Sequence, residues 1–254
     1  MEKSVFKQFC DLESRHWWFK GMYALCLDEL KRIILSKTNE LIILDIGCGT
    51  GHFTQSLLKY GKVFALDNTA EALDICRKQC PKYIIQGNAE ALPIIDESCD
   101  IITALGLIEH LDNDSLFLTE IHRVLKPGGY GLLLTSAYNF LWSKHDNIVH
   151  HKRRYTKASF RKLLKGTGLK NIKISYVNTF LFMPILLARI IASKRCIRHR
   201  ESDGSPDLFM LPQPLNQLLY WILRFESYLL KKFSMPFGVG LFIVVQKPKI
   251  HIFP

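Results

Sequence analysis

The strongest constraint on the fold is a short apolar run followed at once by a glycine-rich loop. Residues 41–44 read Leu-Ile-Ile-Leu, and residues 45–51 read Asp-Ile-Gly-Cys-Gly-Thr-Gly. An apolar run of this kind predicts a strand that is buried on both faces, and His52 to Tyr60 after the loop has helical character. We therefore predict a strand, a glycine loop and a helix, the opening unit of a parallel α/β sheet.

The alternation of strands and helices continues to residue 135. Strands are predicted at Lys62–Leu66, Tyr83–Ile85, Asp100–Ala104 and Tyr130–Thr135, helices at Ala70–Gln79 and Asp112–Leu125, and a turn at Lys126–Gly129. This pattern favours a doubly wound, mostly parallel sheet. It is followed by a loop at 136–155, a helix at Lys157–Lys165, and strands at Asn171–Val177 and Gly240–Val245.

These elements divide the chain into four parts. We predict a helical cap at 1–38, an α/β core at 39–177, a helical lid or membrane-facing insertion at 178–236, and the last strand of the core with a tail at 237–254.

Composition narrows the class of protein. The chain has 254 residues, of which 48% are apolar and 22% charged, enough for one large folded domain. Its seven cysteines are odd in number and contain no C-x-x-C pair, so neither a disulfide framework nor a structural zinc site is indicated. The first residues lack the apolar centre of a secretory signal, and we expect a cytoplasmic protein.

The net charge of +11 is unevenly placed. Residues 144–200 hold 15 Lys and Arg and one acid, a net of +14, whereas the rest of the chain has a net charge of −3. Such a segment is either a solvated face or a surface that meets the phosphates of lipid headgroups or nucleic acid.

The glycine loop differs from the dinucleotide fingerprint G-x-G-x-x-G, because one residue rather than two separates its last two glycines. Pyrophosphate binding is therefore disfavoured. Asp45, ahead of the first glycine, would repel a phosphate but can meet an amine. The strand Val63–Asp67 ends in an acid that is placed to accept hydrogen bonds from both hydroxyls of a ribose. The residues thus indicate a ligand with a free ribose and an ammonium group.

These motifs resemble those of the class I S-adenosylmethionine-dependent methyltransferases, in particular the small-molecule group with the loop D-x-G-C-G-x-G. The resemblance covers residues 40–135, and the further segments that carry it are Gly87–Pro93, Leu105–Leu111 and Arg123–Gly129. Gly87–Pro93 looks like the family's loop at the adenine. With the helical pattern of the flanking segments, the expected fold is a Rossmann-like, seven-stranded, mostly parallel sheet. It has an antiparallel last strand, an N-terminal helical cap and a helical insertion between the last two strands.

The resemblance also implies which residues hold the cofactor, S-adenosylmethionine. The glycine loop would lie against its methionine and ribose, and the acid at the end of the second strand would bind the ribose. Asn88 stands where the family usually has Asp, and its carbonyl can still accept a hydrogen bond from the adenine amino group. The implied set is Asp45, Gly47, Cys48, Gly49, Gly51, Asp67, Asn68, Asn88, Ala89 and Leu105.

The loop after the fifth strand is the candidate for the chemistry. It carries His145, Asp146, His150 and His151 within seven residues, at the sheet edge where ligands of such folds bind. One of the histidines could take a proton from a hydroxyl while Asp146 orients it, and His150 or His151 is favoured because both adjoin an arginine pair. A solvated basic loop is the alternative. No carboxylate cluster accompanies the histidines, so we expect no metal.

The candidate acceptor site is completed by Trp18, Arg153, Arg154 and Tyr155. The pattern W-S-x-H-D followed by H-x-R-R-Y-T, with H-W-W-F at residues 16–19, looks like a bacterial methyltransferase subgroup with glycan, lipid or secondary-metabolite substrates. The arginine pair is predicted to bind an anionic group of the acceptor.

We expect methyl transfer to oxygen, or else to nitrogen or carbon, of a small and largely apolar molecule. Nucleic acid is disfavoured because the chain has no N-P-P-Y or D-P-P-Y tetrapeptide and no Pro-Cys at a strand end. Two alternatives stay open: methylation of RNA or protein through the basic face, and a non-catalytic module that binds a lipid or a partner. No obligate protein partner is expected.

The predicted insertion is strongly apolar. Pro184 and Arg189 interrupt the run Phe180–Ala192 before it reaches the roughly 20 residues of a spanning helix. Four basic residues follow it, Lys194, Arg195, Arg198 and Arg200, and a second apolar helix is predicted at Leu215–Phe233. These helices either lie on an anionic membrane, at its inner face, or roof the acceptor pocket.

Overall fold

The computed structural model describes residues 10, 12–35, 39–79, 82–196 and 210–249. They form one seven-stranded sheet in the order β3-β2-β1-β4-β5-β7-β6, in which β7 runs antiparallel to both of its neighbours and the other pairs are parallel. The strands are β1 (Leu41–Ile46), β2 (Gly61–Asp67), β3 (Ile84–Gln86), β4 (Cys99–Leu105), β5 (Leu125–Ser136), β6 (Lys170–Val177) and β7 (Gly240–Gln246). The predicted fold class is confirmed.

Helices cover both faces of the sheet, which is why β1 is a continuous apolar run with Ile43, Leu44 and Ile46 fully buried. The described helices are α1 (Trp17–Ile34), α2 (His52–Leu57), α3 (Ala70–Gln79), α4 (Asp114–Val124), α5 (Lys144–Ile148), α6 (Lys157–Leu164), α7 (Phe182–Cys196) and α8 (Gln213–Leu230). Strand order reverses between β1 and β4. In sheets of this type, ligands bind in the crevice at that switch point, outside the carboxyl ends of the strands.

Two local predictions are corrected. The segment Lys126–Gly129 is not a separate turn but part of β5, whose ladder with β4 is interrupted between Cys99 and Ile101. Gly128 has φ of +81° there, so the strand bends where glycine allows it. The predicted loop at 136–155 contains the short helix α5.

The N-terminal helix α1 packs against α8, the second helix of the insertion. A Cβ on Gly21 would lie 2.5 Å from Cδ1 of Leu223, so the two helices approach closely at this point. Arg224 Nη1 donates to Asp28 Oδ2 at 2.9 Å across the same contact.

The four predicted parts of the chain correspond to these elements only in outline, and their boundaries stay predictions. Residues 1–9 and the basic residues Arg198 and Arg200 lie outside the described residues, as do the side chains of Lys194 and Arg195. No helix in the described parts of the chain has the length and hydropathy needed to cross a bilayer.

We predict that Gly21→Ala destabilises the protein, although alanine favours a helix. The added Cβ would lie 2.5 Å from Cδ1 and 2.9 Å from Cβ of Leu223. Such overpacking costs about 1–3 kcal/mol, against a gain in helix propensity of about 1 kcal/mol. Urea unfolding should show a lower free energy of unfolding.

The double variant Gly21→Ala/Leu223→Ala tests the cause. Because alanine at 223 removes the closest overlap, that with Cδ1, and leaves only the contact with Cβ, the two losses should be less than additive. Strict additivity, or a Gly21→Ala protein as stable as the parent, would mean that α1 and α8 do not pack in this way.

Candidate active site

The glycine loop after β1 has a backbone conformation that requires glycine. Gly47, Gly49 and Gly51 have φ of +71°, +53° and +88°, in the left-handed region that other residues disfavour. The amides of Gly47 and Cys48 donate to the Leu66 carbonyl at 2.7 and 3.0 Å. These hydrogen bonds fasten the loop to β2 at the carboxyl end of the sheet.

Open space lies above two glycines at the switch point. A Cβ built on Gly49 or Gly106 would meet no atom within 4 Å, and both residues have positive φ. Gly106 follows β4, which pairs directly with β1, so the two glycines border the crevice between these strands. The bare backbone allows a ligand to approach closely there.

Asp67 lies at the end of β2, as predicted, and is half-buried. Its Oδ2 accepts a hydrogen bond from the Gly49 amide at 3.1 Å, and its Oδ1 accepts one from the Thr69 amide at 2.9 Å. A carboxylate oxygen has two lone pairs, so each oxygen retains capacity for a ligand hydroxyl.

The predicted adenine side of the site is more open. Asn68 and Asn88 are exposed and Ala89 is buried. Leu105, in the segment that the resemblance places at the sulfonium, is half-buried. Asn88 Oδ1 accepts a hydrogen bond from the Glu90 amide at 2.9 Å, which leaves its amide group and one lone pair for a ligand.

Asp45 lies beneath the glycine loop, with only 3% of its surface exposed. Its two oxygens accept hydrogen bonds from the hydroxyls of Thr54 and Thr103, each at 2.6 Å. Burial raises the pKa of Asp45 to about 6 in spite of these bonds. The carboxyl group thereby ties β1 to α2 and β4, and its direct contact with an amine stays a prediction. Cys48 is also nearly buried, at 8% exposure.

Glu13 is a site residue that sequence reasoning missed. Its carboxylate accepts a hydrogen bond from the Thr50 hydroxyl in the glycine loop and lies 3.8 Å from His52 Nδ1. Burial raises the pKa of Glu13 to about 7, and neighbouring Asp45 raises it further against the effect of the Thr50 hydrogen bond. No local motif marks Glu13, because only the fold brings it to the loop.

These residues fit the cofactor that the sequence resemblance implies. The space above Gly49 is open, Asp67 has lone pairs for ribose hydroxyls, and Glu13 and Asp45 are carboxyl groups whose ionised forms a nearby cation would stabilise. S-adenosylmethionine carries both an ammonium and a sulfonium.

The loop after β5 folds around Asp146, which is completely buried. Arg154 donates to both carboxylate oxygens, from Nε at 2.8 Å and from Nη2 at 2.9 Å, and its Nη1 donates to the Ala137 carbonyl at 2.9 Å. The Ser143 amide donates to Asp146 Oδ2 at 2.7 Å, and Ser143 is the N-cap residue of α5. Burial by itself would raise the pKa of Asp146, but the hydrogen bond of His151, the charge of Arg154 and the Ser143 amide hold it well below its ordinary value.

The structure brings two of the three candidate histidines together. His151 Nδ1 lies 2.7 Å from Asp146 Oδ1, and its Nε2 lies 4.0 Å from Oε1 of the buried Glu109. The rings of His145 and His151 are 6.1 Å apart. His150 is exposed and has φ of +60°, and it lies outside this cluster. Only His151 among the three therefore shows the predicted arrangement with Asp146.

His110 is the nearest aromatic neighbour of His151, with ring centroids 4.6 Å apart. Burial lowers the pKa of His110, against the raising effect of Glu109. Glu109 accepts hydrogen bonds from the Thr135 hydroxyl at 2.7 Å and the Ser136 amide at 3.2 Å, which fix it at the end of β5. Glu109 was not among the predicted site residues.

The predicted binding of an anionic acceptor by Arg154 is wrong, because its guanidinium is buried and its donors are used by Asp146 and Ala137. Arg153 is also paired, since Nη1 lies 3.0 Å from Asp114 Oδ2 and Nη2 donates to the Leu111 carbonyl at 3.0 Å. Its side chain is 31% exposed, and its role in acceptor binding stays a prediction. Sequence alone does not show whether a guanidinium faces a ligand or a carboxylate of the fold.

Tyr155 is buried, and its hydroxyl is used within the fold. It is 4% exposed, and its hydroxyl donates to Asp114 Oδ2 at 2.8 Å. Trp18 is half-buried beside Gly240, the first residue of β7, and its role in acceptor binding stays a prediction. The described side chains include no group of three His, Cys, Asp or Glu that could hold a metal ion.

We predict that Asp146→Asn lowers the free energy of unfolding at pH 7 by about 3 kcal/mol or more, because it leaves the buried Arg154 charge without its partner. The folded-state pKa of Asp146 is lowered, so the wild-type advantage is full above the ordinary carboxyl pKa and declines as the pH falls below about 4. Urea unfolding at pH 7 and at lower pH measures both effects.

Asp114→Asn is the matched control. It removes the carboxylate of the more exposed Arg153 pair, whose side chains are 31% and 18% exposed, and a pair near the surface contributes about 1 kcal/mol or less. Equal losses in the two variants would contradict the central role given to Asp146.

Comparison with known proteins identifies the domain. Residues 44–133 match a protein-family model described as a methyltransferase domain. The chain is 39% identical over 118 residues to the malonyl-[acyl-carrier protein] O-methyltransferase of Yersinia pestis, a match that covers 43% of this chain and 44% of that protein. It is 34% identical over 137 residues to the biotin biosynthesis bifunctional protein BioHC of Cellvibrio japonicus, covering 50% of this chain and 27% of that protein. The chain thus spans less than half the length of either relative.

Solved structures extend the likeness to the whole fold. A putative methyltransferase from Bacillus halodurans superposes with a TM-score of 0.58 at 22% identity, over 87% of this chain and 100% of that one. An S-adenosylmethionine-dependent methyltransferase from Thermotoga maritima gives a TM-score of 0.57 at 19% identity, over 96% and 98%. Residues 44–133 therefore match a methyltransferase domain, and the chain has the fold of class I S-adenosylmethionine-dependent methyltransferases; this match and this fold imply S-adenosylmethionine as the cofactor.

Proposed function

We propose that this chain transfers a methyl group from S-adenosylmethionine to an oxygen atom of a small, largely apolar acceptor, with His151 as the general base. The observation that carries the proposal is the 2.7 Å contact between His151 Nδ1 and Asp146 Oδ1. His151 also adjoins Glu109 and His110, which follow Gly106 closely in the chain. When bound, the cofactor supplies an electrophilic methyl group on a positively charged sulfur.

The chemistry follows from what Asp146 can do. An ionised carboxylate only accepts hydrogen bonds, so the short contact makes His151 Nδ1 the donor. The neutral ring then has its lone pair on Nε2, which can take the proton of an acceptor hydroxyl as the oxygen is methylated. Glu109, 4.0 Å from Nε2, stabilises the imidazolium that forms.

An aromatic cluster supports an apolar acceptor. Tyr138 follows β5, and its ring centroid lies 4.8 Å from that of Tyr176 and 4.9 Å from that of Phe140. Phe182, at the start of α7, lies 6.1 Å from Tyr138. Tyr138 directly follows Ala137, whose carbonyl accepts from Arg154, so the cluster adjoins the loop that holds His151.

The names of relatives support oxygen as the methylated atom. The protein from Yersinia pestis is named an O-methyltransferase, and its similarity to this chain covers 43% of the chain. The apolar character of the acceptor is inferred from the aromatic cluster and not from these names.

Methylation of RNA or protein through the basic face is less well supported, because the basic segment is partly neutralised in the fold. Four of its residues lie in ion pairs with acidic side chains: Lys152 with Asp112, Arg153 with Asp114, Arg154 with Asp146, and Lys173 with Glu29. The charge available to a polyanion is smaller than the sequence indicates.

We predict that His151→Gln lowers turnover by about 10²–10⁴, the range for loss of a general base, while the affinity for S-adenosylmethionine is kept. Turnover is measured as S-adenosylhomocysteine formed with a total lipid and metabolite extract as acceptor, and affinity by calorimetric titration. His150→Gln, in the exposed neighbour, is the control and should retain turnover.

Asp67→Ala tests cofactor binding independently of the methyl-transfer step. It removes the acceptor of the ribose hydroxyls, and the affinity for S-adenosylmethionine should fall about tenfold or more.

Equal turnover in the two histidine variants would remove His151 from the mechanism. Cofactor binding without turnover in the parent protein would favour the non-catalytic module.

A further inference from the structure

The second helix of the insertion, α8, buries polar side chains beside apolar ones. Its buried face includes Asn216, Glu226 and Ser227 as well as Leu223 and Leu230. Asn216 Oδ1 accepts a hydrogen bond from the Trp17 amide at 2.9 Å, and Glu226 accepts from the Thr179 amide at 2.7 Å. The polar groups that usually keep a surface helix in water are here used to attach α8 to the rest of the fold.

The outward face of α8 is apolar. Four large side chains at spacings of three, four and three residues form one stripe, and each is more than half exposed: Leu218 (56%), Trp221 (59%), Phe225 (57%) and Tyr228 (57%). Single exposed apolar residues are ordinary, but a continuous stripe on one helix marks a surface that meets something apolar.

The first helix of the insertion, α7, continues this surface. None of its described side chains, at positions 182–191, is buried, and Arg189 is the one charged residue among them. Met183, Leu187 and Ile191 are 54%, 54% and 52% exposed. The ring of Phe180, just before α7, lies 5.9 Å from that of Phe225 on α8. We call these seven exposed side chains, Met183, Leu187, Ile191, Leu218, Trp221, Phe225 and Tyr228, the outer face.

The charges around the outer face select what can cover it. Lys231 and Lys232 follow the stripe on α8, and both are exposed. In sequence, α7 and α8 contain no acidic residue other than Glu226, which is buried. In sequence, Lys194 and Arg195 at the end of α7 and Arg198 and Arg200 just after it add positive charge, and the acids Glu201, Asp203 and Asp207 follow them before α8. A second copy of the chain would bring the same positive charges to the contact, whereas an anionic lipid surface complements both the apolar and the basic parts.

We propose that the outer face is a membrane-attachment surface, which lies in the interfacial layer of an anionic bilayer with α7 and α8 parallel to the membrane plane. Apolar side chains would enter the boundary between headgroups and acyl chains, and the lysines would meet lipid phosphates. Phe182, at the start of α7, belongs to the aromatic cluster after β5, so attachment brings the proposed acceptor site close to the bilayer. This inference stands apart from the proposed methyl transfer, since binding needs no turnover.

Cosedimentation tests the proposal with the full chain and two kinds of vesicle, phosphatidylcholine alone and phosphatidylcholine mixed with phosphatidylglycerol. The protein should sediment with the anionic vesicles and not with the neutral ones. Raised salt should weaken the binding, because it screens the lysine–phosphate attraction. A protein that stays in the supernatant with anionic vesicles at low salt overturns the proposal.

Two matched variants establish that the outer face is responsible. Trp221→Glu/Phe225→Glu places charge on the exposed stripe and should reduce the partition coefficient about tenfold or more. Ile95→Glu/Leu116→Glu makes the same change at two exposed apolar residues elsewhere, 81% and 44% exposed, and should bind like the parent. Circular dichroism confirms that both variants are folded.

Two results would count against the outer face. Equal binding of the two variants would mean that other surfaces attach the protein. A dimer in sedimentation equilibrium that Trp221→Glu/Phe225→Glu dissociates would mean that a second copy covers the face.

Discussion

The buried ion pair between Asp146 and Arg154 is the interaction on which the candidate active site depends. It closes the segment after β5 on itself and joins it to the end of the strand through the Ala137 carbonyl. Asp146 Oδ1, which accepts from Arg154 Nε, also holds His151. A buried ion pair gains little over well-packed apolar residues of the same size, whereas breaking one is costly. Its contribution here is therefore positional, because it fixes the imidazole that we propose as the general base.

The cofactor end of the site depends on a different constraint, the absence of side chains. Gly49 and Gly106 leave the backbone bare at the point where strand order reverses, and Asp67 is held beside them by the Gly49 and Thr69 amides. Beneath and beside the loop, Asp45 and Glu13 are carboxyl groups kept from water. A positively charged ligand would favour their ionised forms, so cofactor binding is linked to the protonation of Asp45 and Glu13.

The parts of the fold that follow local rules could be predicted from the sequence. The run at 41–44, the glycine spacing and the acid at the end of β2 are consecutive features, and they fixed the fold class and the position of Asp67. The position of Glu13 could not be predicted, because it reaches Thr50 across 37 residues without any motif. Arg154 was misassigned because a guanidinium suits an acceptor phosphate as well as a buried carboxylate. The exposed apolar stripe of α8 is equally hidden, since its apolar positions predict a buried stripe until the partners of Asn216 and Glu226 are known.

The measurement that tests the account most directly is the long-range ¹H–¹⁵N NMR spectrum of the His151 imidazole, assigned by its loss in His151→Gln and recorded with and without S-adenosylhomocysteine. Asp146 should hold the neutral ring as the Nδ1–H tautomer, with the lone pair on Nε2. The cofactor product should shift the His151 signals and leave those of His122, on α4, unchanged. An Nε2–H tautomer, or a His151 ring that does not respond to the bound product, would contradict the assignment of His151 as the base at the methyl-transfer site.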